Sequence, residues 1–343
     1  MRSQQPIVIA TGSDLVRRIA VGRNSLSLEG VNDCQRLLRE AGLDFGLFFV
    51  TPSYFRQRLR FPLPSCRLLI NVISDPDQSP KVLRVLEQIL VKAPTETINH
   101  PAAVRGSTRD QVATRLAGIP GLVLPRTIRI NRRDAAHLRR QLEATGFRLP
   151  GILRPVGSHG GKGVRLVSDV SSLSDSLEKQ KQRESYLTEF ADYRSDDGYY
   201  RKYRCFVFGD AVVFRHMIIS DRWLVHARDK RRVMAGTDWM EREEADIHAA
   251  GASHFSPALT ATLVAIRRQL DLDYCGVDFT VLDSGELLLF EVNATMNFFP
   301  FYYSDRSHYS WQCLPRAVAA IRALVESRLE PERVVEYATG GER

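Results

Sequence analysis

Asp278, Glu291 and Asn293 are three oxygen-bearing side chains set among apolar residues in the stretch GVDFTVLDSGELLLFEVNATMN, residues 276–297. Glu291 and Asn293 are two apart, so in a strand both project to one face. Asp278 joins that face if the turn around Asp283-Ser284-Gly285 holds an even number of residues, as a two-residue Ser-Gly loop would. A three-residue loop without a bulge would send Asp278 to the other side. Two carboxylates and an amide oxygen on one face suit a hard, oxygen-seeking ion such as Mg²⁺, or Mn²⁺ in its place, completed by water and substrate phosphate. The alternative is an ordinary polar sheet face, and for Glu291 alone that reading would be preferred. Unpaired carboxylates beside a long apolar strand are costly to bury, and the trio favours the metal.

A second stretch, RPVGSHGGKGVRL (154–166), places Gly157, Gly160, Gly161 and Gly163 with His159 and Lys162 between two short apolar runs. It reads as strand, turn, strand. A phosphate-binding P-loop runs from strand into helix and ends in Gly-Lys-Ser/Thr, whereas here Gly-Lys is followed by Gly163 and Val164. Taken alone the stretch is a glycine-rich hairpin. Glycines also let main-chain N–H groups approach an anion, so a phosphate flap is the competing reading.

These stretches need a scaffold, and the chain is long enough for two or three units. It has 343 residues, 44% hydrophobic and 26% charged, without low-complexity tracts or internal repeats. Strands are expected at 7–10, 45–50 and 67–73, alternating with amphipathic helices at 30–42 and 79–93, which predicts a small, mainly parallel α/β domain over 1–98. NVISDPDQSP (71–80) follows the third strand, where open α/β sheets place ligands. Residues 99–185 read as an α+β unit carrying the glycine loop. Residues 186–343 read as mainly antiparallel, with strands at 186–190, 201–208 and 211–219, a helix at 256–270, the hairpin at 276–297 and a closing helix at 314–329.

A net charge of +8 and a pI near 9.4 favour anionic partners: nucleic acid, phosphorylated metabolites or acidic polypeptide. The cations sit in helical stretches such as NRRDAAHLRRQLEATG (131–146), where Ala135, Leu138 and Leu142 form an apolar stripe, the pattern of a solvated helix face. No zinc-finger, helix-turn-helix or aromatic-interleaved RNA motif is present, so nucleic acid is the weaker expectation. Five cysteines, odd in number and widely spaced, give neither a disulfide framework nor a zinc site. No run approaches the roughly 18 apolar residues of a membrane span, and the first residues lack the apolar core of a signal peptide. A cytoplasmic protein without a membrane partner is expected.

In order, from about Asn99 to Asn297, these features resemble the ATP-grasp superfamily, in particular the branch of ribosomal-protein glutamate ligase and related peptide-forming ligases. The resemblance implies an α/β and α+β fold with an N-terminal α/β domain ahead of the ATP-grasp units. It implies that Asp278, Glu291 and Asn293 hold the magnesium ions that bridge the phosphates of ATP. The glycine loop would close over those phosphates, with Arg154, His159, Gly160, Gly161, Lys162 and Gly163 at the nucleotide. YLTEFA would be the hinge whose backbone reads adenine at Glu189 and Phe190, and KYRCFVFGDAVVFRHM the hairpin whose Arg204 lies by the phosphates and acyl group. Arg215 joins it as a candidate to stabilise the acyl phosphate and oxyanion. The implied reaction is ATP-dependent ligation, in which a phosphorylated carboxylate is attacked by an amine to give an amide, ADP and phosphate.

Several positions depart from the family pattern. Arg154 stands for a strand lysine, Gln111 for an earlier lysine, Lys202 for an acidic residue, and Thr295-Met296-Asn297 for Ser-Pro-Gly. Gln111 and Arg154 keep open a non-catalytic nucleotide sensor on the same fold, and the pI near 9.4 keeps open, behind it, a basic nucleic-acid-binding protein. The partners implied are a small-molecule or peptide carboxylate and an amine. Arg222 and His226, in SDRWLVHARDK, are candidates for the substrate side, and the cations there would suit an acidic acceptor. The aromatic run Phe298, Phe299, Phe301, Tyr302 and Tyr303 either lines a substrate pocket or packs the closing helix; the core reading is preferred.

Overall fold

IVIATG forms a strand buried on both faces, Ile7–Gly12, because an uninterrupted apolar run has no polar side to turn to water. The computed structural model describes residues 6–14, 20–22, 25–27, 30–131, 135–294, 296–299, 301 and 303–329. Four parallel strands make the first sheet, in the order Gly46–Val50, Ile7–Gly12, Leu68–Asn71, Glu96–Ile98. The helix Cys34–Glu40 packs Leu37 and Leu38 against Ile7, Ile9, Leu68 and Ile70 on one face. The helix Pro80–Lys92, opened by Pro80, packs Val82, Leu83 and Leu86 with Val8, Ala10 and Leu69 on the other. This is the doubly covered parallel domain that the alternation predicts.

The central sheet is antiparallel, in the order Arg165–Val167, Gly151–Pro155, Glu184–Glu189, Thr127–Asn131. Leu138 and Leu142 of Ala135–Thr145 and Leu173 and Leu177 of Val170–Glu178 cover it, in one core with Leu153 and Leu187. Here one expectation is corrected. The strand expected at 186–190 as the start of the C-terminal unit belongs to this central sheet, since Leu187 fills the core beneath the two helices.

The third sheet runs Ala211–Ser220, Tyr200–Phe208, Tyr274–Val281, Leu287–Asn293 and Leu122–Val123, antiparallel except for the last pair. Helix Pro257–Gln269 packs Leu259, Leu263 and Ile266 with Cys205, Val207 and Phe279. Helix Cys313–Leu329 packs Ala317 and Ile321 in a core shared by Phe206 and Phe208 of this sheet and by Ile7 and Ile9 of the first. Phe298 and Phe299 belong to that core and, with Phe301, also line a large cleft, so the structure favours neither reading of the aromatic run over the other; Phe301 stacks on Trp311 at 3.9 Å. Tyr302 and Thr295 lie outside the described residues. No single helix among the described residues is long and apolar enough to cross a membrane.

Candidate active site

The turn of the last hairpin has three residues, not two: Leu282 N–H donates to the Glu286 carbonyl at 2.9 Å, enclosing Asp283, Ser284 and Gly285. By parity alone Asp278 would then face away from Glu291. A β-bulge restores it. Phe279 pairs with Leu289, but Asp278 pairs with Glu291, so Phe290 is an extra residue. On the next strand pair Arg204 is opposite His216 and Cys205 opposite Phe214, which makes Arg215 an extra residue too. Arg204 is itself opposite Asp278, so Arg204, Asp278 and Glu291 form one row across three strands.

Each carboxylate in that row is held by cations. Arg204 grips Asp278 with two bonds, Nε to Oδ1 at 2.6 Å and a terminal nitrogen to Oδ2 at 2.8 Å, while Lys202 Nζ lies 3.4 Å from Oδ2. Glu291 forms an ion pair with Arg109, accepts from Asn293 Nδ2 at 2.7 Å on the same oxygen, and faces Arg154 at 3.8 Å with its other oxygen. Burial pushes both carboxyls up, but the cations outweigh it: Arg204 and Lys202 hold Asp278 below the usual carboxylate range, and Arg109 and Arg154 hold Glu291 well below it. Burial, then the charge of Arg109, brings Arg154 down to about 10 despite Glu291. The structure thus brings together Arg154, Arg204, Asp278, Glu291 and Asn293 as expected.

Arg109 escaped the sequence reading. It is the first residue of the helix Arg109–Arg115, and its signal was a cation two places before Gln111, where the family pattern has lysine. Gln111 itself is exposed.

The glycine loop joins Gly151–Pro155 to Arg165–Val167, with φ positive at Gly157, Gly160, Gly161 and Gly163. At Gly163 a Cβ would lie 2.9 Å from Pro155 Cγ, so neither the conformation nor the space admits a side chain. Three side chains hold the loop. Gln78 Nε2 donates to the Gly157 carbonyl at 2.8 Å, His159 Nε2 meets Asp75 Oδ2 at 2.6 Å, and His226 Nε2 meets the Gly160 carbonyl at 2.8 Å. The bond to Asp75 raises the His159 pKa against the effect of burial. Asp75 and Gln78 come from NVISDPDQSP, the turn read as a ligand-side strand end. His226 is therefore brought to the loop, whereas Arg222 stays out in solvent with its side chain 70% exposed.

At Glu189 and Phe190 both N–H groups are already used, on the carbonyls of Arg126 (2.9 Å) and Pro150 (3.0 Å), leaving their carbonyls for any base. The Glu189 carboxylate accepts from Arg148 N–H at 2.9 Å, and Phe190 packs edge-on to Trp223. Arg215 is buried in the third sheet. Its Nε donates to the Phe298 carbonyl at 2.8 Å and its guanidinium lies 3.9 Å from the Phe301 ring centre.

A cleft of about 1530 Å³ is lined by the glycine loop with exposed Lys162, by Lys202, Arg204, Arg215, Glu291 and Asn293, and by Asp33 and Arg36 of the first domain; Asp278, Arg109 and Arg154 are not in its lining and meet it through their pairs with Arg204 and Glu291. The cleft exceeds the usual size of a single small-ligand pocket and has room for a second ligand. His216 also lines it; burial and the surrounding cations hold its ring neutral, and its Nδ1 has no partner among the described residues.

Solved structures share this fold over nearly the whole chain. ATP-grasp ligase PsnB with a minimal precursor aligns over 94% of this chain and 99% of its own, at 16% identity and a TM-score of 0.53. D-alanyl-alanine synthetase A from Vibrio cholerae aligns over 96% and 99%, at 9% identity and 0.55. The chain has the ATP-grasp fold. VanG D-Ala:D-Ser ligase from Enterococcus faecalis is similar over 92% and 99%, at 12% identity and 0.50. No family model matches the sequence, and no curated protein matches it. Within the ATP-grasp frame the donor set at Asp278, Glu291 and Asn293 fits a hard ion: oxygen ligands on one face and carboxylates kept ionised, with Glu291 and Asn293 at the wall of the cleft and Asp278 buried beside them. Among the described residues no group of three or more His, Cys, Asp or Glu is placed to hold a metal ion by itself.

Proposed function

We propose that the protein is an ATP-dependent, Mg²⁺-requiring carboxylate–amine ligase that works through an acyl phosphate. One observation carries the reading: the glycine loop, Lys202, Arg204, Glu291 and Asn293 line one cleft, with Asp278 paired to Arg204, and Arg109 and Arg154 paired to Glu291, at its wall residues. It is supported by the likeness to PsnB, whose solved complexes hold Mg and ADP with a minimal precursor.

The nucleotide phosphates would lie under Gly157–Gly163, with Lys162 and Arg154 neutralising their charge. Asp278, Glu291 and Asn293 would hold the magnesium, which when bound gathers phosphate oxygens and offsets their charge. A carboxylate oxygen of the substrate attacks the γ-phosphorus and ADP leaves. The amine nitrogen then attacks the acyl carbon, loses a proton, and phosphate leaves. Such transfers depend on positioning and charge stabilisation rather than on a covalent nucleophile. Arg204 and Arg215 would stabilise the developing oxyanion. Glu189 and Phe190 would border the base through their carbonyls. Cations such as Arg36, Arg39, Arg165 and Arg231 outnumber the acids in the cleft lining, which suits an acidic acceptor for the amine or carboxylate role. We assign residues 1–98 to an N-terminal domain, 99 to about 190 to the central unit and the remainder to the C-terminal unit. The reaction belongs in the cytoplasm, where ATP is supplied and five unpaired cysteines stay reduced.

The test is ATP calorimetry with and without Mg²⁺, on wild type and Glu291→Ala/Asn293→Ala, with ADP release measured over amino acids and acidic peptides. Magnesium-dependent binding lost in the double variant, with substrate-stimulated ADP release, is the expected outcome. Tight binding with no turnover on any substrate would favour the nucleotide sensor. No ATP binding would end the reading.

A further inference from the structure

Arg109 and Arg154 do more than add charge to a phosphate site. Between them, with Asn293, they cover both oxygens of Glu291, while Arg204 covers both oxygens of Asp278. Two carboxylates stand among four cations, Arg109, Arg154, Lys202 and Arg204. A bare divalent ion approaching them meets a net positive site and ligand oxygens already engaged. A metal–triphosphate complex is still anionic, and its oxygens are alternative partners for the same guanidinium groups.

We propose that Arg109 is a guard on the metal carboxylate: it occupies Glu291 when no nucleotide is present and exchanges that carboxylate for phosphate, so that a divalent ion is retained only together with nucleotide. Its position suits the exchange. Arg109 lies at the start of its helix and lines a small cavity behind the glycine loop, alongside Ser158, His159, Glu291 and Asn293. Phosphates under the loop would therefore arrive on the side where Arg109 already stands. The orphaned hydroxyls of Thr108 and Ser158 line the same cavity. Exposed Gln111, at the position where the family pattern has lysine, offers no charge, and Arg109 supplies the missing cation from one half-turn earlier. The proposal rests on the nucleotide reading above.

Manganese is the probe, followed by the electron paramagnetic resonance signal of the free aqueous ion, with ADP binding measured by calorimetry on the same samples. Wild type is expected to leave Mn²⁺ free until ADP or a non-hydrolysable ATP analogue is added. Arg109→Met is expected to retain Mn²⁺ without nucleotide, about tenfold more tightly than wild type or better, roughly one ion pair's worth. Arg109→Met/Glu291→Gln should lose that gain. Wild type that binds Mn²⁺ equally well without nucleotide overturns the guard, with no variant needed. So does a folded Arg109→Met, or Arg109→Gln if the first does not fold, that still requires nucleotide. Either result with normal ADP binding leaves the ligase reading standing, whereas absence of ADP binding removes both.

Discussion

Asp278 lies opposite Glu291 because Phe290 is an extra residue in its strand, and Arg204 lies opposite Asp278 one strand further on. The row alternates cation, anion, anion, and the two anions are stable neighbours only because guanidinium groups flank both. We predict that Asp278→Ala costs about 3 kcal/mol of folding stability or more, since it strands Arg204 without its carboxylate. Arg204→Met/Asp278→Leu should recover much of that loss, because a buried ion pair replaced by packed apolar groups is often near neutral. Urea unfolding of the three proteins decides it. A cost for Asp278→Ala below about 1 kcal/mol would place the row at the level of a surface pair.

Acid should undo the same row. The folded pKa values of Asp278 and Glu291 lie below their ordinary values of about 4. The stability they contribute is therefore complete above those ordinary values and is lost as pH falls through the folded ones. The urea midpoint of wild type is expected to fall between about pH 5 and pH 2, and Glu291→Gln should fall less steeply over the same window. Parallel curves for the two proteins would show that Glu291 is not held ionised by Arg109 and Arg154.

The loop bond between His159 and Asp75 has the opposite sign. His159 has a raised pKa, so its contribution is complete below about pH 6.5 and is lost as pH rises through the higher folded value. Asp75 and Glu291 favour the charged ring, while burial and Arg109 oppose it. Amide exchange at Gly157–Gly163, corrected for its intrinsic pH dependence, is expected to quicken above that value in wild type. His159→Gln should exchange fast throughout, with no such step.

Gly163 tests whether the loop conformation itself matters. Its φ is +75° and a Cβ would meet Pro155 at 2.9 Å. Gly163→Ala should weaken ATP binding about tenfold and cost about 1 kcal/mol of stability or more. Unchanged ATP affinity would mean that the loop does not hold phosphate.

Much of this site was legible because the chemistry sits in contiguous motifs whose strand period fixes facing. The trio, the glycine loop and Arg204 could all be named from local order. The parity of the hairpin could not, since a three-residue turn and a bulge each reverse it and together they cancel. Arg109 was hidden because its partner is 182 positions away in sequence and its one local mark was a cation two places before Gln111. Which backbone groups the hinge offers was hidden for a related reason: the N–H groups of Glu189 and Phe190 are consumed by the carbonyls of Arg126 and Pro150, pairings set by how the central sheet closes. The strand at 184–189 changed sheets for the same non-local cause, a core formed by Leu153, Leu173 and Leu187.

A second buried pair lies behind the cleft and has a purely structural expectation. Lys230 pairs with Glu244, which also accepts from Tyr309 OH at 2.9 Å and from Met217 N–H at 3.2 Å, in a place where almost no water reaches. The neighbouring His248 is buried without a hydrogen-bond partner on either ring nitrogen among the described residues, and burial with nearby cations brings its pKa down to about 3. That neutral ring leaves Lys230 as the balancing charge for Glu244. Lys230→Met should then cost about 3 kcal/mol or more, and Lys230→Met/Glu244→Gln distinctly less, because the amide oxygen still accepts from Met217 N–H and the amide NH2 donates to the Tyr309 hydroxyl, without a buried charge. Thermal unfolding with ATP binding measured alongside is the check. Equal losses for the single and double variants would mean that packing, and not the uncompensated carboxylate, sets the cost.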